Sequence, residues 1–182
     1  MILSDSAILE AIENKDIIIT PFRRECLGSN SYDVHLGDMI GIYESETLDV
    51  KKDNEVNYYY LNEEGFTLQP GRVYLASTEE YTESNTHVPF LDGKSSIGRL
   101  GLFIHATAGR GDVGFKNYWT LELVPTQPIK IYKGMKIGQL FFYVTKGEVM
   151  TTYDKKKDAK YTKVENRPQP SQMYMNFEED DE

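Results

Sequence analysis

"YWTLELV", Tyr118 to Val124, decides the fold class. Aromatic, β-branched and leucine residues fill it, and side chains along an extended chain alternate faces with period two. Trp119, Leu121 and Leu123 therefore share one face, and Tyr118, Thr120, Glu122 and Val124 share the other. The first face is that of a core strand. The second sets Glu122 among apolar neighbours, which leaves two readings open: an exposed sheet face, or a partly buried carboxylate able to move protons.

Outward from this stretch the same texture repeats. "DIIIT", "SYDVHL", "DMIGIY", "NYYYL", "RVYLAST", "LFIHAT", "PIKIY" and "IGQLFFYV" all read as strands, separated by Gly, Pro, Asn and Asp. Helical signals are confined to the start, where Ser4 or Ser6 can cap a short helix carrying Ala7, Ile8, Leu9 and Ile12, with Asp5 at its first turn. The expected architecture is mainly β, a distorted barrel or sandwich with a short N-terminal helix. Alternating α and β units are absent, so a doubly wound nucleotide fold is not expected.

A chain of 182 residues supports one domain with a proper core. From Lys146 the strand pattern loosens, with the basic run "DKKKDAK", the prolines of "RPQP", and aromatic residues at Tyr153, Tyr161, Tyr174 and Phe177. A disordered segment rarely holds so many aromatics. Residues 146–177 are therefore expected to form an arm, packed over the sheet or over a neighbouring subunit, within a single domain 1–177. Residues 178–182, "EEDDE", read as an acidic disordered tail.

That tail explains most of the charge. It supplies five of the nine net negative charges, which leaves −4 on the rest of the chain. A mildly acidic body argues against a nucleic-acid surface, yet permits a local basic pocket. No apolar run reaches the roughly 18 residues of a membrane span. The opening "MILSDSAILEAIENK" lacks the basic-then-apolar order of a secretion signal, and the single Cys26 cannot form an internal disulfide. A cytoplasmic protein, without membrane or nucleic-acid partners, is expected.

"GKSSIGRLG", Gly93 to Gly101, is the main candidate for chemistry. Lys94 and Arg99 bring charge, and Ser95 and Ser96 bring hydroxyls on a small-residue backbone, a combination suited to an anion. It is not a Walker loop, because the upstream glycine spacing is missing. His35, His87 and His105 are scattered, and with one cysteine they make a zinc site poorly supported; His105 is expected on a strand as a structural histidine. Asp112, in the turn "GRGDVG", can accept a sugar hydroxyl or simply form an Asx turn. Gln139 is polar inside an apolar strand, and Lys160 in "DAKY" supplies a further cation near Tyr153 and Tyr161.

The ordered series "GKSSIGRLG", "HATAGRGDVGF", "TLEL", "GMKIGQLFF" and "DAKY…PSQMYMNF" resembles the dCTP deaminase family, part of the trimeric dUTPase superfamily. "MILSDSAILEAI" and "LGSNSYDVHLG" resemble that family's opening helix and first strand, so the likeness spans nearly the whole chain to Phe177. The resemblance implies a dUTPase-like distorted barrel, assembled as a homotrimer with active sites between subunits. It implies hydrolytic deamination of dCTP, with Mg2+ bound through the triphosphate, no zinc, and dTTP as an inhibitor.

Carried over by position, Lys94, Ser95, Ser96, Ile97, Gly98 and Arg99 are the phosphate- and water-facing loop. Glu122 is the catalytic carboxylate, helped by Ser95 and Arg99, while Thr120 and Leu121 present strand backbone to the base. Asp112 lies on the deoxyribose side, and Gln139, Tyr153 and Lys160 bind nucleotide and phosphate. Two features differ from the family. "TAG" at Thr107 to Gly109 resembles the dUMP-forming branch, where the dUTP-forming branch often has histidine at Gly109, whereas Arg110 resembles the dUTP-forming type. Val164 stands where the arm usually has glutamine, and "VENRPQPS" is one residue longer than the common form. A relative that only hydrolyses dUTP and a non-catalytic trimeric nucleotide-binding module are the alternative functions.

Overall fold

Ser4 stands at the N-cap of α1 (Asp5–Glu13), where its Oγ accepts from Ala7 N at 3.4 Å and Asp5 fills the first turn. This is the one extended helix in a computed structural model that describes residues 1–177. The acidic run Glu178 to Glu182 lies outside the described residues. Ile8 and Ala11 turn the helix into the core. No helix among the described residues is long and apolar enough to cross a membrane.

Ten strands follow: β1 (Ile17–Thr20), β2 (Tyr32–Tyr43), β3 (Val56–Tyr60), β4 (Phe66–Leu68), β5 (Tyr74–Ser84), β6 (His87–Gly93), β7 (Leu102–Phe103), β8 (Lys116–Pro125), β9 (Ile129–Ile131) and β10 (Lys136–Val144). A single turn of helix, α2 (Ser95–Gly98), joins β6 to β7. Eight strands form one sheet in the order β6-β10-β2-β5-β8-β7, with β1 on β5 and β3 on β2, while β4 pairs with β9. The pairs are antiparallel. The sheet curls into a distorted, mainly β barrel around Tyr32, Leu36, Ile40, Leu121, Leu123 and Phe142, all without solvent exposure.

β8 shows the alternation read from sequence. Trp119, Leu121 and Leu123 are buried, and Tyr118, Thr120, Glu122 and Val124 are half-buried. Trp119 is fixed on both sides of its ring: Nε1 donates to Thr82 Oγ1 at 3.0 Å, and Phe115 packs 4.9 Å away.

Four elements differ from the sequence reading, one of them β4, which no stretch read as a strand covers. "SYDVHL" and "DMIGIY" join into the single strand β2, because Gly37 marks a close approach and not a turn: a Cβ there would meet Ser77 Oγ at 2.9 Å. "LFIHAT" is a strand only at Leu102–Phe103, so His105 lies in irregular chain beyond β7. β6 has no counterpart among the stretches read as strands, since Pro89 interrupts its pattern; in the sheet Pro89 pairs with Phe142.

Candidate active site

Glu122 occupies the outward face of β8 and borders a cavity of about 500 Å³. Its carboxylate is oriented from the neighbouring chain segment. Ala106 N donates to Oε2 at 2.9 Å, and Glu122 N donates to Ile104 O at 3.0 Å. Oε1 has no protein partner among the described residues and remains available as an acceptor. Beyond this point β7 pairs only with Val124 and Pro125, so the edge of β8 beside Thr120 and Leu121 is not covered by a strand.

Thr120, Asp112 and Tyr153 line the same cavity as Glu122. Asp112 makes an ion pair with Lys156 Nζ at 2.6 Å. Tyr153 docks through its backbone N, which donates to Val113 O at 2.7 Å, and its ring packs against Phe115 at 5.8 Å. Burial pushes the Tyr153 hydroxyl above its ordinary pKa, so it is a neutral hydrogen-bonding group. Leu121 points the other way, into the core, and only its backbone can face a ligand. Arg110 is a further cation on the cavity wall.

The other residues expected at the site lie outside this lining. Lys94 and Arg99 cap the turn α2, where Arg99 N donates to Ser95 O at 3.0 Å and Ile97, buried, anchors the turn to the core. Ser95, Ser96, Gly98 and Arg99 are exposed, and Arg99 has no ion-pair partner among the described residues. Gln139 joins Lys94 at the β6–β10–β2 side of the sheet: it pairs in register with Asp33, whose Oδ1 accepts from Lys94 Nζ. Ser31 Oγ donates to Gln139 Oε1 at 3.4 Å. Lys160 is held within the arm by Asn176 Oδ1 at 2.5 Å. One chain thus presents two separate groups, a carboxylate-bearing cavity and a cationic turn.

The arm lies over the cavity of its own chain. Asn117, 1% exposed, is its main attachment. Its Nδ2 donates to Tyr161 O (3.1 Å) and Lys163 O (2.9 Å), and its Oδ1 accepts from Glu165 N at 3.3 Å. Further along, Gln169 N donates to Thr120 Oγ1 at 3.0 Å, Tyr58 OH to Pro168 O at 3.1 Å, and Ser171 N to Tyr43 OH at 2.9 Å. The arm is therefore secured without any contribution from position 164, where Val164 is exposed. Sequence reasoning missed Asn117, though a signal existed: it shares the inward parity of Trp119 and Leu121, where a polar residue must find partners.

A second buried polar cluster lies away from the cavity. Glu80, with no solvent exposure, accepts from Arg23 Nη1 at 2.9 Å and from His35 N at 2.8 Å, with His35 Nδ1 at 2.6 Å. Glu79 takes the other arm of the same guanidinium at 2.6 Å. Fully partnered in this way, it reads as a structural network tying the 21–26 loop to β2 and β5.

Comparison with known proteins places this geometry. The fold is that of a solved 2'-deoxycytidine 5'-triphosphate deaminase from Agrobacterium tumefaciens, with a TM-score of 0.64 at 21% identity over 79% of this chain and 48% of that one. A family model described as dCTP deaminase-like matches residues 2–145, and the chain belongs to that family. Proteins named dCTP deaminase, dUMP-forming are similar over almost the entire length. The one from Clostridium botulinum (strain Eklund 17B / Type B) is 48% identical over 178 residues, 98% of this chain and 99% of that protein. The one from Clostridium acetobutylicum is 45% identical over 97% of this chain and 99% of that protein.

Proposed function

We propose that the protein deaminates dCTP by hydrolysis and carries the product on to dUMP and diphosphate. The observation that carries the first half is the carboxylate of Glu122, a residue lining the cavity, held by Ala106 N through one oxygen while the other has no protein partner among the described residues. A water beside that oxygen gives it a proton while its oxygen adds to C4 of the cytosine ring. That proton passes from Glu122 to N3 of the ring, where it stays; the second proton of the water, now on the C4 hydroxyl, passes through Glu122 to the amine, which leaves as ammonia as the C4 carbonyl of uracil forms. General-base assistance of this kind contributes on the order of 10²–10⁴ in rate. Ser95 and Arg99 orient that water and the carboxylate; Lys94, Ser96 and the turn backbone at Ile97 and Gly98 grip phosphate oxygens. Asp112 accepts from the sugar, Thr120 and Leu121 present backbone to the base, and Gln139, Tyr153 and Lys160 hold the nucleotide.

The second half, water adding to the phosphorus nearest the sugar with release of diphosphate, is supported by the names of the relatives and by Gly109. A Cβ at that position would stand 2.4 Å from Leu91 O and 3.1 Å from His105 Nε2. The histidine associated with the dUTP-forming branch has no room here.

Because the cationic turn lies outside the lining of the cavity, the reading requires a homotrimer in which the turn of one subunit completes the cavity of the next. Leu100 (52% exposed) and Phe103 (58% exposed) flank the turn and offer apolar surface for that contact. Mg2+ enters with the triphosphate, whose negative charge it offsets. Of the two cavity carboxylates, Asp112 is already paired with Lys156 and Glu122 offers one free oxygen, so the ion would be held mainly by the phosphate groups. On this reading dTTP, a pyrimidine deoxynucleoside triphosphate like the substrate, is an inhibitor. A buried, unpaired Cys26 supports action in the reducing cytoplasm, without membrane or nucleic-acid partners.

The test is a time course with Mg2+ and dCTP that resolves ammonia, dUTP, dUMP and diphosphate. Equal ammonia and dUMP with little free dUTP is the expected result; ammonia with accumulating dUTP overturns the second step, and no ammonia overturns the first.

A further inference from the structure

A β-bulge sets a second ammonium group beside Lys94. The register of β10 against β2 shifts between Lys136 and Gly138, so Ile137 and Gly138 are both buried and Lys136 shares the outward side of the strand with Gln139. Such bulges re-aim a side chain. Asp33 on β2 reaches both cations: Oδ1 accepts from Lys94 Nζ, and Oδ2 accepts from Lys136 Nζ at 3.1 Å. Burial by itself would raise the Asp33 pKa, but the hydrogen bonds from Lys94 and Lys136 outweigh it and hold the carboxyl below its ordinary value. The same bond to Asp33 holds Lys136 above its ordinary value, against a small desolvation cost, with Glu25 a weaker influence.

The charge count gives this arrangement its meaning. Asp33 and Lys94 alone would form a neutral pair, and any anion gripped by Lys94 would face a half-buried carboxylate at close range. Two ammonium groups on one carboxylate leave a net positive charge, and Asp33 keeps a counter-ion when Lys94 turns toward a ligand.

We propose that Lys136 is a positioning residue for phosphate binding: it neutralises Asp33 so that the carboxylate which orients Lys94 does not repel the triphosphate. This rests on the reading of the Lys94–Arg99 turn as the phosphate-facing part of the site. It predicts coupling between Lys136 and Asp33 that a merely structural lysine would not show.

The intact protein is titrated calorimetrically with inorganic tripolyphosphate, and KM and kcat for dCTP are measured in parallel. Lys136→Ala is expected to weaken tripolyphosphate binding roughly five- to tenfold, the scale of one partly screened unit charge, and to raise KM while leaving kcat near its wild-type value. Lys136→Arg is expected to retain most of the affinity. Asp33→Asn combined with Lys136→Ala is expected to bind tighter than Lys136→Ala alone, because the uncompensated charge is gone. Unchanged binding in Lys136→Ala, no recovery in the double variant, or no tripolyphosphate binding by the wild-type protein would each overturn the proposal. Ammonia release from dCTP by the wild-type protein tests the deaminase reading separately, since a protein that binds tripolyphosphate through Lys136 without releasing ammonia keeps this inference and loses that one.

Discussion

Ala106 and Glu122 are joined by a backbone-to-carboxylate hydrogen bond of 2.9 Å, and this contact fixes the direction of a carboxylate on the outward face of β8. An isolated glutamate on a sheet face samples several rotamers. Here the segment beyond β7 fixes one carboxylate oxygen of a cavity-lining residue and leaves the other without a protein partner among the described residues. Preorganisation of this type lowers the reorganisation needed as the transition state forms.

Asn117→Ala should release the arm while leaving the barrel folded. The change strands Tyr161 O and Glu165 N and removes one of the two bonds to Lys163 O, which also accepts from Gln169 Nε2 at 3.0 Å. Leaving a half-buried polar group without its partner costs at most about 1–3 kcal/mol. Trypsin should then cut faster at Lys160 and Lys163, and KM for dCTP should rise. An arm equally resistant in variant and wild type would contradict the role given to Asn117.

Gly109→Ala should destabilise the protein and depress turnover. The added methyl cannot avoid Leu91 O, since Leu91 N is itself bonded to Gly109 O at 2.6 Å and locks the two segments together. Overpacking at such a site costs about 1–3 kcal/mol, readable as a lower thermal midpoint. A variant as stable as the wild type would show that the segment can shift.

Acid should expose the Asp33 network. Its folded-state carboxyl lies below its ordinary value, held there by Lys94 and Lys136 against the effect of burial. A depressed carboxylate pKa adds stability that is fully present above the unfolded value, about 3.9, and is lost as pH falls through the folded value. Urea midpoints measured from pH 6 down to pH 2 should therefore fall more steeply for the wild type than for Asp33→Asn. Parallel curves would remove Asp33 from the acid-sensitive groups.

The strand order of the barrel was not legible in the sequence, but its faces were. The period-two pattern of β8 gave its buried and cavity sides, and Ser4 gave the helix start, because both signals are local. Gly37 misled, since a glycine that admits a close neighbour looks the same in sequence as one that makes a turn. The separation of the cationic turn from Glu122 was invisible for a different reason. Distance between Lys94 and Glu122 in space depends on long-range pairing of β6, β10 and β2, which no short window encodes. Lys136 was overlooked because a bulge, and not residue parity, brings it to the outward side.

The most direct measurement compares wild type and Glu122→Gln for dCTP binding by calorimetry and for ammonia release under saturating dCTP and Mg2+. The amide keeps the shape and can still accept from Ala106 N, but it cannot take a proton from water. Binding within a few-fold of wild type, with ammonia release lowered on the order of 10²–10⁴, is the predicted result. Near-wild-type ammonia release from Glu122→Gln would contradict the assignment of Glu122 as the base.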